Sequence, residues 1–94
     1  MTLISFKQTP LFRKTVKKLH KQDKLILDRE IKVLIKNPKM GDLKTGDLSG
    51  VRVHKFKISK RLFLLGYVFA KNAITLLSFG RYENYYKKLK KYNS

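Results

Sequence analysis

The chain has no cysteine and no tryptophan, two histidines, two prolines and only six acidic side chains. Without cysteine there can be no disulfide and no thiolate-ligated metal, which suits a reducing compartment and leads us to expect a cytoplasmic protein. His20 and His54 are too few for a convincing zinc site, so a metal-dependent mechanism is disfavoured and no cofactor is expected. No apolar run approaches the ~18 residues of a membrane span. The N-terminus also lacks a basic segment followed by a hydrophobic one, so no secretory signal is expected. The motifs of dinucleotide-binding proteins, P-loop enzymes, nucleophile-elbow hydrolases and His-Glu-x-x-His proteases are absent. So is the aromatic signature of an RNA-recognition motif.

Scarcity of acids is the strongest global feature. Asp23, Asp28, Glu30, Asp42, Asp47 and Glu83 stand against 23 lysines and arginines, for a net charge of +17. None of them falls between Val51 and Tyr82, an interval that holds Arg52, Lys55, Lys57, Lys60, Arg61, Lys71 and Arg81. Charge of one sign at this density repels itself in the free protein and attracts a polyanion or an acidic protein. A lysine-rich surface that only keeps the chain soluble is the plain alternative, but so lopsided an imbalance favours a polyanionic partner. A membrane surface fits less well, because the aromatics sit in strand-like runs and not on one amphipathic helix.

With 94 residues, 43% of them hydrophobic, the chain is expected to form one domain spanning residues 1–94. Thr2 to Phe6 alternates as a short strand. Thr9-Pro10 supplies an N-cap and a proline at the first helical position, and Leu11, Phe12, Thr15, Val16 and Leu19 follow at helical spacing. Asp23 is read as the cap of a second helix, whose stripe of Leu25, Ile26, Ile31, Leu34 and Ile35 ends at Asn37-Pro38. So short a link implies an antiparallel helical hairpin packed on one face of a sheet. The glycine-punctuated stretch from Met40 to Gly50 reads as loop. Strands are expected over Val51–Ile58, Leu62–Phe69 and Ala73–Phe79, with Ser59-Lys60-Arg61 and Ala70-Lys71-Asn72 as turns, making an antiparallel meander. Gly80 is taken to end the last strand, and Tyr82 to Tyr92 is compatible with a short helix. The fold class is therefore α+β, in the order β-α-α-β-β-β-α.

Metal-free phosphodiester cleavage needs a base for the attacking hydroxyl, a cation on the phosphate and a proton donor for the leaving oxygen. Arg81 is the candidate cation, since a guanidinium grips two phosphate oxygens at once; an ordinary surface arginine is its plain alternative. Lys55 and Lys57, two apart, share one face of their strand and can bind phosphate or simply be solvated. Tyr82 and Tyr86 fall four apart, offering a ring for a base to stack on and a phenol that can move a proton; Tyr85 reads as core. Glu83 can act as a base or pair with Arg81. His54 reads as a half-buried neighbour of Phe56. Arg52, Lys60, Arg61 and Tyr82 complete the expected RNA-binding set.

Three pieces carry a resemblance: Leu48-Ser-Gly-Val-Arg-Val-His-Lys-Phe-Lys-Ile58, Arg61-Leu-Phe-Leu-Leu-Gly-Tyr67 and Ile74-Thr-Leu-Leu-Ser-Phe-Gly-Arg-Tyr-Glu-Asn-Tyr-Tyr86. In order and spacing the chain resembles the RelE/ParE superfamily of toxins from bacterial type II toxin–antitoxin modules. The resemblance implies a microbial RNase-like fold. In the favoured RelE/YafQ-like branch it implies a metal-independent endoribonuclease that enters the ribosomal A site and cuts mRNA through the neighbouring 2′-hydroxyl. Carried over by position, Lys55 and Lys57 match the branch's strand lysines, and Arg81 falls near its C-terminal arginine. Tyr82 and Tyr86 stand where YafQ-like members have a histidine and an aromatic. Arg61 is the nearest match to a central-strand arginine, with Leu64 at the aligned position. The implied partners are a cognate acidic antitoxin, in a hetero-oligomer, and the ribosome with its mRNA, with no membrane. A ParE-like inhibitor of DNA gyrase and a non-catalytic RNA-binding module are the alternative readings.

Overall fold

Thr9 does more than begin a helix. In the computed structural model, which describes residues 4–82, its hydroxyl accepts the Phe12 N–H at 3.1 Å and donates to the Leu77 carbonyl at 2.6 Å. One side chain therefore caps α1 (Pro10–Lys17) and ties it to β5 (Ala73–Arg81). The Leu77 carbonyl is within reach because the ladder to β4 (Arg61–Ala70) is irregular there: Gly66 pairs with Ser78 and Tyr67 with Leu76, so Leu77 is skipped. Such a bulge frees backbone groups for other partners.

The remaining elements are β1 (Ser5–Gln8), α2 (Lys21–Lys36), β2 (Asp42–Leu43) and β3 (Arg52–Ile58), with a single 3₁₀ turn at Gly46–Leu48. The sheet order is β1-β5-β4-β3-β2. β1 runs parallel to β5, and every other pairing is antiparallel. The helical hairpin links one sheet edge to the other across a single face, with α1 against β5 and α2 against β3. On that face Phe12, Leu27 and Leu34 bury against Phe56, Tyr67 and Ile74 with their neighbours. A smaller cluster of Leu48, Val51, Val53, Leu64 and Leu77 is buried on the other face.

The α+β architecture and the meander agree with the sequence reading, and several boundaries differ. β1 lies at Ser5–Gln8, beyond the expected Thr2–Phe6, because its register is set by pairing with Ala73 to Leu76 and not by its own alternation. The cap of α2 is His20, with no side-chain cap bond, and Asp23 falls in the first turn, where its charge suits the helix dipole. The loop from Met40 to Gly50 contains the two-residue β2. Arg61 belongs to β4, paired with Ile58 across a two-residue turn. Gly80 and Arg81 pair with Leu64 and Phe63 of β4, so β5 continues through the glycine. The expected C-terminal helix, with Glu83, Tyr85 and Tyr86, lies outside the described residues.

No described helix is long and apolar enough to cross a membrane.

Candidate nucleic-acid interface at the end of the sheet

The two-residue turn and the β4–β5 register decide what stands at this end of the sheet. Residues paired across strands share a face, and successive residues alternate. Ile58 pairs with Arg61 and Phe63 with Arg81, while Phe56 pairs with Phe63. Phe56, Ile58 and Phe63 belong to the helix-side core, so Arg61 and Arg81 leave the sheet from that face too. Both are exposed. Together with Leu62 and Tyr82 they line a cleft of about 240 Å³. Tyr82 is 51% exposed, so its ring is free to be covered. Beneath the arginines the aromatics are layered: Phe63 stacks on Phe79 at 5.1 Å, Phe79 on Phe56 at 5.9 Å, and Phe56 on His54 at 5.5 Å. These packed rings form a layer beneath the two arginines.

Lys55 and Lys57 do share a face, as their spacing predicts, and it is the one turned away from the helices. Lys57 pairs with Leu62, a wall of the cleft, whereas Lys55 pairs with Leu64, about 7 Å further along. Lys57 thus borders the cleft from behind, and Lys55 is more remote. Lys60 sits in the turn just before Arg61, with φ of +69°. Arg52 has a structural engagement that its sequence position did not reveal: its Nη1 donates to the carbonyls of Lys39 at 3.1 Å and Gly41 at 3.0 Å. That pins the loop leading into β2. Tyr86 lies outside the described residues.

His54 is half-buried beside Phe56 as expected, and its Nε2 meets Glu30 Oε1 of α2 at 3.2 Å. It is therefore committed to joining helix and sheet. Tyr67 drew no functional reading from the sequence, yet it is fully buried. Its hydroxyl donates to the Pro38 carbonyl at 2.7 Å and accepts the Gly41 N–H at 2.9 Å. Burial raises its pKa above the ordinary tyrosine value, against smaller lowering contributions from the Gly41 N–H and the Arg52 charge.

Chemically, the cleft offers two fixed positive charges, an exposed ring with a phenol, and no carboxylate or imidazole among its described lining residues. Arginine pairs at such a site match phosphate oxygens, and an exposed ring beside them suits a base.

A family model described as the ParE-like toxin of type II bacterial toxin-antitoxin systems matches residues 6–90. No curated protein matches the chain. Among solved structures, a doubly substituted E. coli toxin RelE in the free state is similar at a TM-score of 0.75 and 13% identity, covering 98% of this chain and 95% of that one. The isolated E. coli RelE toxin is similar at 0.68 and 17% identity, covering 94% and 97%. RelE in the intact E. coli RelBE toxin-antitoxin complex is similar at 0.67 and 15% identity, covering 83% and 95%. At such identities the likeness is one of fold.

Proposed function

Because the chain belongs to the ParE-like toxins of type II bacterial toxin-antitoxin systems, we propose that it arrests growth as a RelE-like endoribonuclease, cutting mRNA on the ribosome in the cytoplasm. The observation that carries this reading is the convergence of Arg61, Arg81 and Tyr82 on one cleft, at an end of the sheet whose strands bear no acid. In the proposed reaction the 2′-oxygen attacks the adjacent phosphorus and loses its proton to a base. The phosphorus–5′-oxygen bond breaks, the leaving oxygen takes up a proton, and a 2′,3′-cyclic phosphate remains. Arg81 and Arg61 stabilise the extra charge on the phosphorane-like transition state. Tyr82, and Tyr86 beyond the described residues, stack on the nucleotide or pass a proton. Lys57 and Lys60 hold flanking phosphates, with Lys55 and Arg52 further off. No metal is required. A cognate acidic antitoxin covers the cations in a hetero-oligomer, a reading supported by the likeness to RelE of the RelBE complex.

The test is inducible expression with primer extension on a translated mRNA. Removing one preorganised charge of this kind costs about 10²–10³ in rate, so Arg81→Ala should relieve growth arrest and erase the cleavage pattern while the protein stays folded. Arg81→Lys should rescue poorly, because a point charge cannot make the two-pronged grip. EDTA should leave cleavage unchanged.

A ParE-like block of DNA gyrase is the second reading. It is favoured by the family model itself and by the lack of a carboxylate or imidazole among the described lining residues of the cleft. Growth arrest with intact mRNA and a stalled gyrase would establish it and sink the nuclease.

A further inference from the structure

The arginine cleft has a neighbour on the helix side. Lys14 of α1 and Lys18, the residue that caps the helix C-terminus, lie one turn apart and project side by side. With Leu11, Thr15, Ser78 and Phe79 they line a groove of about 210 Å³ between α1 and β5. Both lysines are exposed, and α1 contains no acid. Phe79 ties the groove to the cleft: Arg81 follows it by two residues, on the same face and roughly 7 Å along the strand. Phe63, which stacks on Phe79, is the cross-strand partner of Arg81. The two lysines and two arginines thus lie on one side of the sheet, linked through Phe79 and Phe63, on the face opposite Lys55 and Lys57.

We infer that the Lys14–Lys18 groove is a second phosphate-binding subsite, which holds the backbone of single-stranded RNA flanking the nucleotide at Arg61 and Arg81. The inference rests on the nuclease reading and adds a direction to it: with Lys57 and Lys60 on one flank of the bound nucleotide, the other flank leaves the cleft over α1. Phe79, the aromatic residue of the groove, is buried and not free to stack on a base, so the lysines grip phosphate, and recognition there is independent of sequence. A lysine at the C-terminus of a helix also suits the helix dipole. That role affects stability alone, whereas a phosphate contact appears in the salt dependence of binding.

Helix α1 provides its own control, since Arg13 and Lys17 are exposed on the same helix and do not line the groove. Purified full-length protein is titrated with a fluorescent oligouridine RNA over a series of salt concentrations. Lys14→Gln/Lys18→Gln should flatten the plot of log affinity against log salt by about 1.4, from two lost contacts of roughly 0.7 each on a single strand. Arg13→Gln/Lys17→Gln should leave the slope unchanged, and Lys14→Arg/Lys18→Arg should restore it. Equal flattening by both glutamine pairs would mean that long-range charge alone is at work, and would overturn the subsite. An unchanged slope in Lys14→Gln/Lys18→Gln would overturn it as well. Arg61→Gln/Arg81→Gln is measured in parallel. If it loses binding while the groove variant does not, the subsite fails and the nuclease reading stands. If it binds like the wild type, the nuclease reading fails first.

Discussion

Replacing Lys60 with glycine should stabilise the protein while loosening its hold on RNA. Ser59 and Lys60 form the two-residue turn between β3 and β4 with φ of +50° and +69°, a geometry whose twist matches the strands but which favours Asn-Gly. A side chain in the left-handed region costs about 1–2 kcal/mol. Glycine removes that cost and adds about 0.5–1 kcal/mol of chain entropy lost on folding. The net gain is about 0.5–1 kcal/mol, and the melting temperature of a domain this size should rise by roughly 2–8 °C. Lys60→Gln is the control: it removes the same charge and retains the backbone strain, so its melting temperature should rise only by the relief of self-repulsion. In the salt series both variants should flatten the slope by about 0.7 if Lys60 meets one phosphate. A lower melting temperature for Lys60→Gly than for Lys60→Gln would refute the strain argument. Unchanged slopes in both would remove Lys60 from the RNA-binding set.

Gly41→Ala should destabilise by about 1–3 kcal/mol in urea titrations, because its new methyl carbon would lie 2.8 Å from the Tyr67 hydroxyl, on a ring with no room to retreat; a wild-type midpoint would refute this. Thr9→Val should cost a similar ~1–3 kcal/mol, since it removes the cap of α1 and leaves the Leu77 carbonyl without its donor; loss of no more than a few tenths would mean that water replaces the hydroxyl. The raised pKa of Tyr67 means that its contribution to stability is complete below the ordinary tyrosine pKa near 10 and is lost as pH climbs through the higher folded value. The measurement is the difference in stability between wild type and Tyr67→Phe, which should narrow above pH ~10.

The helices and the meander were legible because their signals are local. Thr9-Pro10 starts a helix and Asn37-Pro38 stops one by steric and hydrogen-bonding rules that involve no distant residue. The alternation in β3 was equally clear, and it set Lys55 and Lys57 on the face opposite His54 and Phe56. What failed was non-local. Gly80 looks like a strand terminus on its own, and continues β5 because Leu64 and Phe63 of β4 hold it and Arg81 in the ladder. β1 has almost no information in its four residues about whether it pairs, with which strand or in which direction.

The site was harder to read than the fold for a related reason. Assigning Arg61 to a three-residue turn leaves its face undetermined. Assigning it to β4 after a two-residue turn places it opposite Ile58, and parity then puts it on the helix face with Arg81. That one residue of turn length decides whether the candidate cations form one patch or two. The structure gives two, with the arginines and the α1 lysines on one side and the β3 lysines on the other. Lys57 approaches the cleft from behind through its neighbour Leu62. The acids do not follow that division: on α2 Glu30 meets His54 of β3, Asp28 lines a groove with Phe6, Phe12 and Val16 on the α1 and β1 side, and Asp42 lies in β2 at the far edge. Neither α1 nor the described lining of the arginine cleft includes an acid of its own. A polyanion diffusing in from solution is drawn to such clustered cations first. The same clustered charge that would speed its arrival would set its path over α1 and into the arginine cleft.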